Sequence, residues 1–212
     1  MSEGKGKPIR ILVVDDHPLM RLGLRTRIDA EPDMTVVAEA GDGETGVTAY
    51  ATHKPDVTLL DLRLPGMDGP ATITVIRKTD PDARIIVLTT YDADEDVYRA
   101  VQAGARGYLL KGTFAEGMLE VIRNVHAGRR LIAPEIAARV ADRASSPSLT
   151  SREIGVLELV AKGMSNKEIG AALFVSETTI KYHLKNIYAK LGANDRTEAA
   201  LLAAQRGILH IR

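Results

Sequence analysis

The chain has 212 residues, 45% apolar and 26% charged, with 28 basic and 28 acidic side chains and no cysteine or tryptophan. That apolar share excludes wholesale disorder, and the absence of cysteine excludes disulfides, thiolate metal sites and cysteine nucleophiles. The length fits one large domain or two modest ones. No apolar run approaches the ~20 residues of a membrane span. The basic start Met1–Lys7 leads into a short strand, not a signal-peptide core. A cytoplasmic protein without a membrane partner is expected.

Charge is unevenly placed. Residues 1–144 hold 19 basic and 22 acidic side chains, and residues 145–212 hold 9 and 6. The mildly basic C-terminal part is the one suited to a polyanion. Along the chain, nearly all-apolar runs at Ile9–Val14, Thr35–Ala40, Val57–Leu60, Arg84–Leu88 and Gly107–Leu110 read as strands. Helix-length segments alternate with them, at Pro18–Asp29, Glu44–Thr52, Pro70–Thr79, Asp94–Ala103 and Thr113–His126. Strands apolar on both faces, alternating with helices, predict an α/β unit of (βα)5 type, a doubly wound parallel sheet. Pro134–Arg143 reads as a short helix with proline at its start, and Ala144–Ser148 as a linker.

Beyond the linker the pattern is all-α. Thr150 with Glu153, Ser165 with Glu168 and Asp195 with Glu198 each have capping-box spacing, and Ser176 supplies a further N-cap. Four helices are predicted, at Ser151–Ala161, Asn166–Leu173, Glu177–Leu191 and Arg196–Arg206, with Gly163 and Gly192 just past two of their ends.

Ligands of an open parallel sheet bind outside the carboxyl ends of its strands. The first strand ends in Asp15 and Asp16, the third in Asp61, the fourth in Thr89 and the fifth in Lys111. Three carboxylates brought together repel, and a divalent cation relieves the repulsion; all-oxygen ligation points to Mg²⁺. Taken singly, an Asp at a strand end such as Asp16 is more often a helix N-cap than a ligand, and Lys111 alone reads as a solvated surface lysine. It is the combination that argues for a site. His17, His53 and His126 show no metal-ligand spacing with one another, and core or surface roles are expected for them.

Asp15-Asp16-His17-Pro18, the run Leu60–Gly69, Val87-Leu88-Thr89 and the run Gly104–Lys111 resemble a receiver domain, more narrowly that of NarL/FixJ-class two-component response regulators. The resemblance spans residues 8–128 and leaves 129–147 as a partly helical linker. It implies that Asp61 accepts a phosphoryl group from a sensor histidine kinase. It implies that Asp16, Asp61 and the backbone carbonyl of Arg63 ligate Mg²⁺, with Asp15 acting through water. Lys111 would pair with the phosphoryl group, Thr89 would follow its arrival, and Tyr108 would then swing into the vacated space. Arg63 and Tyr91 match positions that tune phosphoryl lifetime. The pair Lys111-Gly112 departs from the class, which usually has Asp after the lysine, and a local loop difference is expected. Leu64–Gly69 reads as a structural turn.

Ser165–Leu173 followed by Val175–Leu191 reads as helix–turn–helix. Ile180, Leu184, Ile187 and Leu191 form one apolar stripe, which at ~100° per residue leaves Thr178, Lys181, Tyr182 and Lys185 on the opposite face. The same segments resemble a LuxR-type DNA-binding domain spanning residues 148–212. That resemblance implies that Lys181, Tyr182 and Lys185 face base edges and that Thr178 and Thr179 contact phosphate. It also implies a phosphorylation-promoted homodimer through the last helix, with Ala199, Leu202 and Ala203 at the interface, on double-stranded DNA with inverted half-sites. His183, beside the apolar stripe, suits packing or a backbone-phosphate contact. The enzyme alternative is a Mg²⁺-dependent phosphohydrolase with an Asp nucleophile. It needs Asp-x-Asp, whereas Arg63 stands two residues after Asp61, and no cap insertion is present. A phosphate-binding P-loop sequence is also missing. A protein-binding receiver without DNA contact would leave Lys181 and Lys185 idle.

Overall fold

A computed structural model describes residues 7–89, 94–111, 117–132, 134–145 and 147–209. The chain divides into two compact units, Met1–Asp92 with Val97–Ala138 and Ala93–Asp96 with Arg139–Arg212. Among the described residues no helix is long and apolar enough to cross a membrane.

The N-terminal fold strings together β1 (Ile9–Val14), α1 (Pro18–Asp29), β2 (Met34–Ala40), α2 (Gly43–His53), β3 (Val57–Asp61), α3 (Gly69–Thr79), β4 (Ile85–Thr89), α4 (Asp94–Gln102), β5 (Gly107–Leu110) and α5 (Met118–His126). All neighbouring strands pair in parallel, in the order β2-β1-β3-β4-β5. Every residue of β3 is buried, as expected of a strand covered on both faces. On one side Ile11, Val13, Leu59 and Ile86 pack with Leu24 and Ile28 of α1 and with Ile122 and Val125 of α5.

The start of α5 differs from the sequence expectation. Residues 112–116 lie outside the described residues, and Gly117, at φ 96°, sets the helix start at Met118 instead of Thr113. Leu131, assigned to the linker by the sequence, accepts a bond from Tyr108 N–H and donates one to the Arg106 carbonyl, so it pairs along β5. A sheet edge with unpaired amides is a liability, and this short bridge satisfies part of it.

The next helix, α6, runs over Pro134–Ser145, two residues further than predicted. It stops ahead of Pro147, whose ring disfavours helical backbone in the residue before it. The C-terminal helices are α7 (Ser151–Ala161), α8 (Asn166–Ala172), α9 (Glu177–Leu191) and α10 (Arg196–Gln205). Thr150–Glu153 and Ser165–Glu168 form reciprocal capping boxes. The third box is only half made. Asp195 caps Glu198 N–H at 2.8 Å, but Glu198 turns back to the N–H and side-chain amide of Asn194 at 2.7 and 3.0 Å. Gly163 and Gly192 take the left-handed backbone, φ 79° and 70°, that ends their helices.

Candidate functional site

The order of the strands reverses between β1 and β3, so their carboxyl ends open onto one crevice. Asp15 lies there fully buried. Its N–H donates to the Ala40 carbonyl of β2 at 3.1 Å, and its own carbonyl accepts from Arg21 at 2.6 Å. Its Oδ1 accepts the His17 N–H at 2.8 Å. Asp61, 5% exposed at the end of β3, faces it. The Lys111 ammonium, carried just past β5, lies 2.5 Å from Asp61 Oδ2 and 2.8 Å from Asp15 Oδ2. Of the two, the Asp61 contact is aligned as a hydrogen bond, and the Asp15 contact is a charge pairing without that alignment. The Arg63 N–H adds a long bond to Asp61 Oδ1, 3.3 Å.

Burial pushes the Asp61 carboxyl above its ordinary range, and Lys111, with the Arg63 N–H, pulls part of the way back. For Lys111, burial alone favours the neutral amine. Close pairing with Asp15 and Asp61 outweighs it and holds the ammonium above its ordinary value. The crevice therefore contains a fixed cation beside a carboxylate that is short of water.

Asp16 is 36% exposed at its side chain and does not cap α1, because His17 occupies the N-cap position. The capping alternative for Asp16 is thereby set aside. Ligand atoms of Asp15, Asp16, His17 and Asp61 all lie within 4.8 Å of one another. Three carboxylates reached from solvent through Asp16 form a hard-oxygen donor set that suits Mg²⁺. His17 is the member the sequence reading missed. Its Nδ1 stands 2.6 Å from Asp16 Oδ1, a proximity visible in the Asp-Asp-His run but not in spacing between histidines.

The β3–α3 loop is held tightly. Gly66 has φ 73°, and Asp68 caps α3 by accepting from Ala71 N–H at 2.8 Å, in line with the structural reading of this turn. A Cβ on Gly69 would lie 2.6 Å from the Asp61 carbonyl, so glycine is what lets α3 start this close to Asp61. Thr89 closes β4, paired with Leu110; its side chain, like Tyr91 and Gly112, lies outside the described residues. Tyr108 lies on the α4 side of β5. Its ring is already buried, and its hydroxyl donates to the Val97 carbonyl of α4 at 2.9 Å.

In the C-terminal unit, Gly170 allows α8 to approach the turn, since a Cβ there would meet the Val175 carbonyl at 2.8 Å. Arg152 holds the Leu173 carbonyl at 2.8 Å, and Arg196 bridges to Asn166 at 3.1 Å and to the Met164 carbonyl. Phe174 sits in the turn with left-handed backbone, φ 55°, and is 95% exposed. Ile180, Leu184, Ile187 and Leu191 are buried. Thr178, Lys181, Tyr182 and Lys185 are exposed on the other side of α9, so the two faces separate as the periodicity predicts. Lys181 pairs with Glu177 at 2.8 Å, and the Thr179 hydroxyl bonds Ser176 Oγ at 2.8 Å. The His183 ring is half-buried and meets Tyr182 edge-on, 6.0 Å between centroids.

Two positions need correcting. Ala199 and Ala203 are fully buried in the core of this unit, packed with α7 and α9, and cannot meet a second copy. The apolar side chain that α10 presents to solvent is Leu201; Leu202 is half-buried. Lys190 also proves to be structural. Its ammonium reaches Glu153 Oε2 at 2.7 Å, beneath the α7 capping box. The pairing holds Glu153 below its ordinary range, because burial, which favours the neutral acid, is outweighed by Lys190 and the bonds from Thr150.

One unit of the chain thus carries an acid-lined crevice with a buried lysine on a parallel α/β sheet, and the other is a helix–turn–helix with Lys181 and Lys185 on its outer face. The response regulator receiver domain family matches residues 11–123, and the luxR family of bacterial regulatory proteins matches residues 147–203. LiaR of Bacillus subtilis, a transcriptional regulatory protein, is 39% identical over 210 residues, covering 95% of this chain and all of its own. The nitrate/nitrite response regulator NarP of Escherichia coli is 39% identical over 206 residues, covering 94% and 96%. The crystal structure of ChrA, a response regulator of a heme-sensing two-component system, covers 96% of this chain and 100% of its own, with TM-score 0.58 and 39% identity. The chain belongs to the NarL-type response regulators of two-component systems, transcription regulators that join a receiver to a LuxR-type DNA-binding domain.

Proposed function

We propose that Asp61 accepts a phosphoryl group from a sensor histidine kinase and that this promotes dimerisation and binding of the α9 face to DNA. The observation that carries the reading is the Lys111 ammonium lodged between Asp15 and Asp61 at 2.8 and 2.5 Å. A carboxylate oxygen of Asp61 attacks phosphorus in line, the bond from phosphorus to the donor nitrogen breaks, and an acyl phosphate forms while the donor histidine recovers its electron pair. Because catalysis of such transfer is mostly positioning and charge stabilisation, a fixed cation at the acceptor is what the step requires. Asp16, Asp61 and the Arg63 carbonyl would hold Mg²⁺, with Asp15 assisting through water. Mg²⁺ bound there supplies further charge neutralisation for the equatorial oxygens of the phosphoryl group. Lys111 turns from Asp61 to the new phosphoryl oxygens. Thr89 follows them, and Tyr108, bonded to α4, transmits the change.

In the DNA-bound dimer, Lys181, Tyr182 and Lys185 reach base edges, while Thr178 and Thr179 contact phosphate beside the N-terminus of α9. The outward face of α10, with Leu201 at its centre, serves the second copy. Inverted half-sites about 10 bp apart, or a multiple of that, follow from two-fold symmetry. The test is to incubate the full chain with acetyl phosphate or phosphoramidate and Mg²⁺ and measure intact mass. One phosphoryl group is expected on the wild type and none on Asp61→Asn. Equal labelling of the two proteins overturns the assignment.

A further inference from the structure

We infer that Phe174, in the turn of the helix–turn–helix, is a further DNA-contacting residue whose ring packs on the deoxyribose of the sugar–phosphate backbone beside the start of α9. This rests on the reading of α9 as the DNA-binding face and extends that face by one apolar contact. Each of the four helices of the C-terminal unit ends on left-handed backbone. After α7, α9 and α10 the left-handed residue is a glycine, Gly163, Gly192 and Gly207, at φ 79°, 70° and 72°. After α8 it is Phe174, at φ 55°. This conformation is strained for a residue with a Cβ, and glycine is the usual solution. Packing of the ring on its own helix does not offset the strain. The helix position that would receive it is Gly170, which has no side chain, and Phe174 stays 95% exposed. The turn is nevertheless fixed. Phe174 N–H donates to the Ala171 carbonyl at 3.3 Å, Val175 N–H to the Gly170 carbonyl at 2.9 Å, and Arg152 to the Leu173 carbonyl at 2.8 Å. An aromatic ring held in water on a strained, rigid turn is the kind of outlier from which a contact is inferred, since little freedom is left to lose on binding.

Position and charge identify what the ring meets. Phe174 stands two residues ahead of Ser176, the N-cap of α9, so their Cα atoms are within roughly 7 Å of each other. That places the ring beside the phosphates assigned to Thr178 and Thr179. The surroundings are cationic. Arg152 is bonded to the neighbouring carbonyl, and Lys181 pairs with Glu177 at 2.8 Å. Lys181, with Lys167 adding its charge, holds Glu177 below its ordinary range. An apolar ring set among three cations and one carboxylate suits a surface on which C–H-rich sugars alternate with phosphates. An apolar protein groove would instead have to bury those charges.

The experiment uses the full chain and, as probe, a labelled duplex that the wild type selects from a random-sequence pool. Phe174→Gly and Phe174→Asn both accept left-handed backbone, and no packing is lost at so exposed a position. Both are expected to melt at or above the wild-type temperature while losing DNA affinity by about fivefold or more. Phe174→Tyr, which keeps the ring, should bind within about twofold of wild type. The slope of affinity against salt should be unchanged in all three, because no cation is removed, whereas Lys181→Ala as a phosphate or base contact lowers affinity by its own route. Wild-type affinity in Phe174→Gly, with Lys181→Ala and Lys185→Ala weakened, overturns the inference and leaves the α9 face standing. So does a loss of binding that is matched by a fall in melting temperature, which makes Phe174 part of the fold. Unchanged DNA binding with weaker transcription in vitro overturns it too and gives the ring to a protein partner. If the wild type selects no duplex, or the two lysine variants bind as wild type does, the reading of α9 as the DNA-binding face fails, and the inference with it.

Discussion

Lys190→Met removes one charge from the C-terminal unit while keeping the aliphatic stem, and its cost follows from what Glu153 is left with. Glu153 is 4% exposed and loses its Lys190 partner at 2.7 Å. It keeps the Thr150 N–H at 2.7 Å and the Thr150 hydroxyl at 3.0 Å. Breaking a fully buried pair costs about 3–5 kcal/mol. With two capping bonds intact and Lys190 itself partly in solvent, about 1.5–2 kcal/mol is expected, between the surface and buried limits. For a unit of this size that corresponds to a fall in Tm of roughly 6–15 °C. Because Glu153 is held below its ordinary range in the fold, this stabilisation is complete above about pH 4.3 and is lost as pH falls through the depressed folded value. The gap between wild type and variant should close on acidification. Differential scanning calorimetry of the full chain from pH 7 down to acid measures it, with DNA-binding anisotropy run alongside. A variant that melts with wild type but changes sequence preference refutes the reasoning and places Lys190 on the DNA face.

Other expectations follow from the same geometry. Asp16→Ala should weaken Mg²⁺ binding by more than about tenfold, the scale of a lost charged ligand, as read by titration; unchanged affinity would make Asp16 a bystander. Gly69→Ala should destabilise the receiver, since its methyl carbon meets the Asp61 carbonyl at 2.6 Å; a thermal unfolding curve superposed on wild type contradicts this. Lys181→Ala and Lys185→Ala should each cost about 1–3 kcal/mol on specific DNA and relax preference at one position. A uniform loss on specific and scrambled DNA, with the salt slope lower by about one, would make them phosphate contacts.

Much of the architecture is legible in the sequence because the signals are local. Strands apolar on both faces, spaced by helix-length segments, specify the parallel sheet, and Thr150 with Glu153 announces the start of α7 through one pair of bonds. The acidic crevice is legible because strand ends in such a sheet converge, so Asp15, Asp16, Asp61 and Lys111 meet by topology alone. What escapes is decided by packing between distant segments. The small residues of α10 lie on several faces, and nothing local says that Ala199 and Ala203 turn inward while Leu201 faces water. Lys190 looks like one more cation of α9 until α7, 37 residues earlier, brings Glu153 beneath it. The start of α5 depends on the left-handed backbone of Gly117, which periodicity does not register. His17 joins the carboxylates through a side-chain rotation that residue spacing does not encode.

The central claim is that phosphorylation of Asp61 controls DNA binding through the exposed face of α9. The direct measurement is anisotropy of a labelled operator fragment against full-length protein, with and without acetyl phosphate and Mg²⁺, for wild type and Asp61→Asn. Wild type should bind more tightly once phosphorylated, and Asp61→Asn should stay at the unphosphorylated affinity under both conditions. If the phosphodonor strengthens binding equally in Asp61→Asn, or leaves a phosphorylated wild type unchanged, the switch does not run through Asp61.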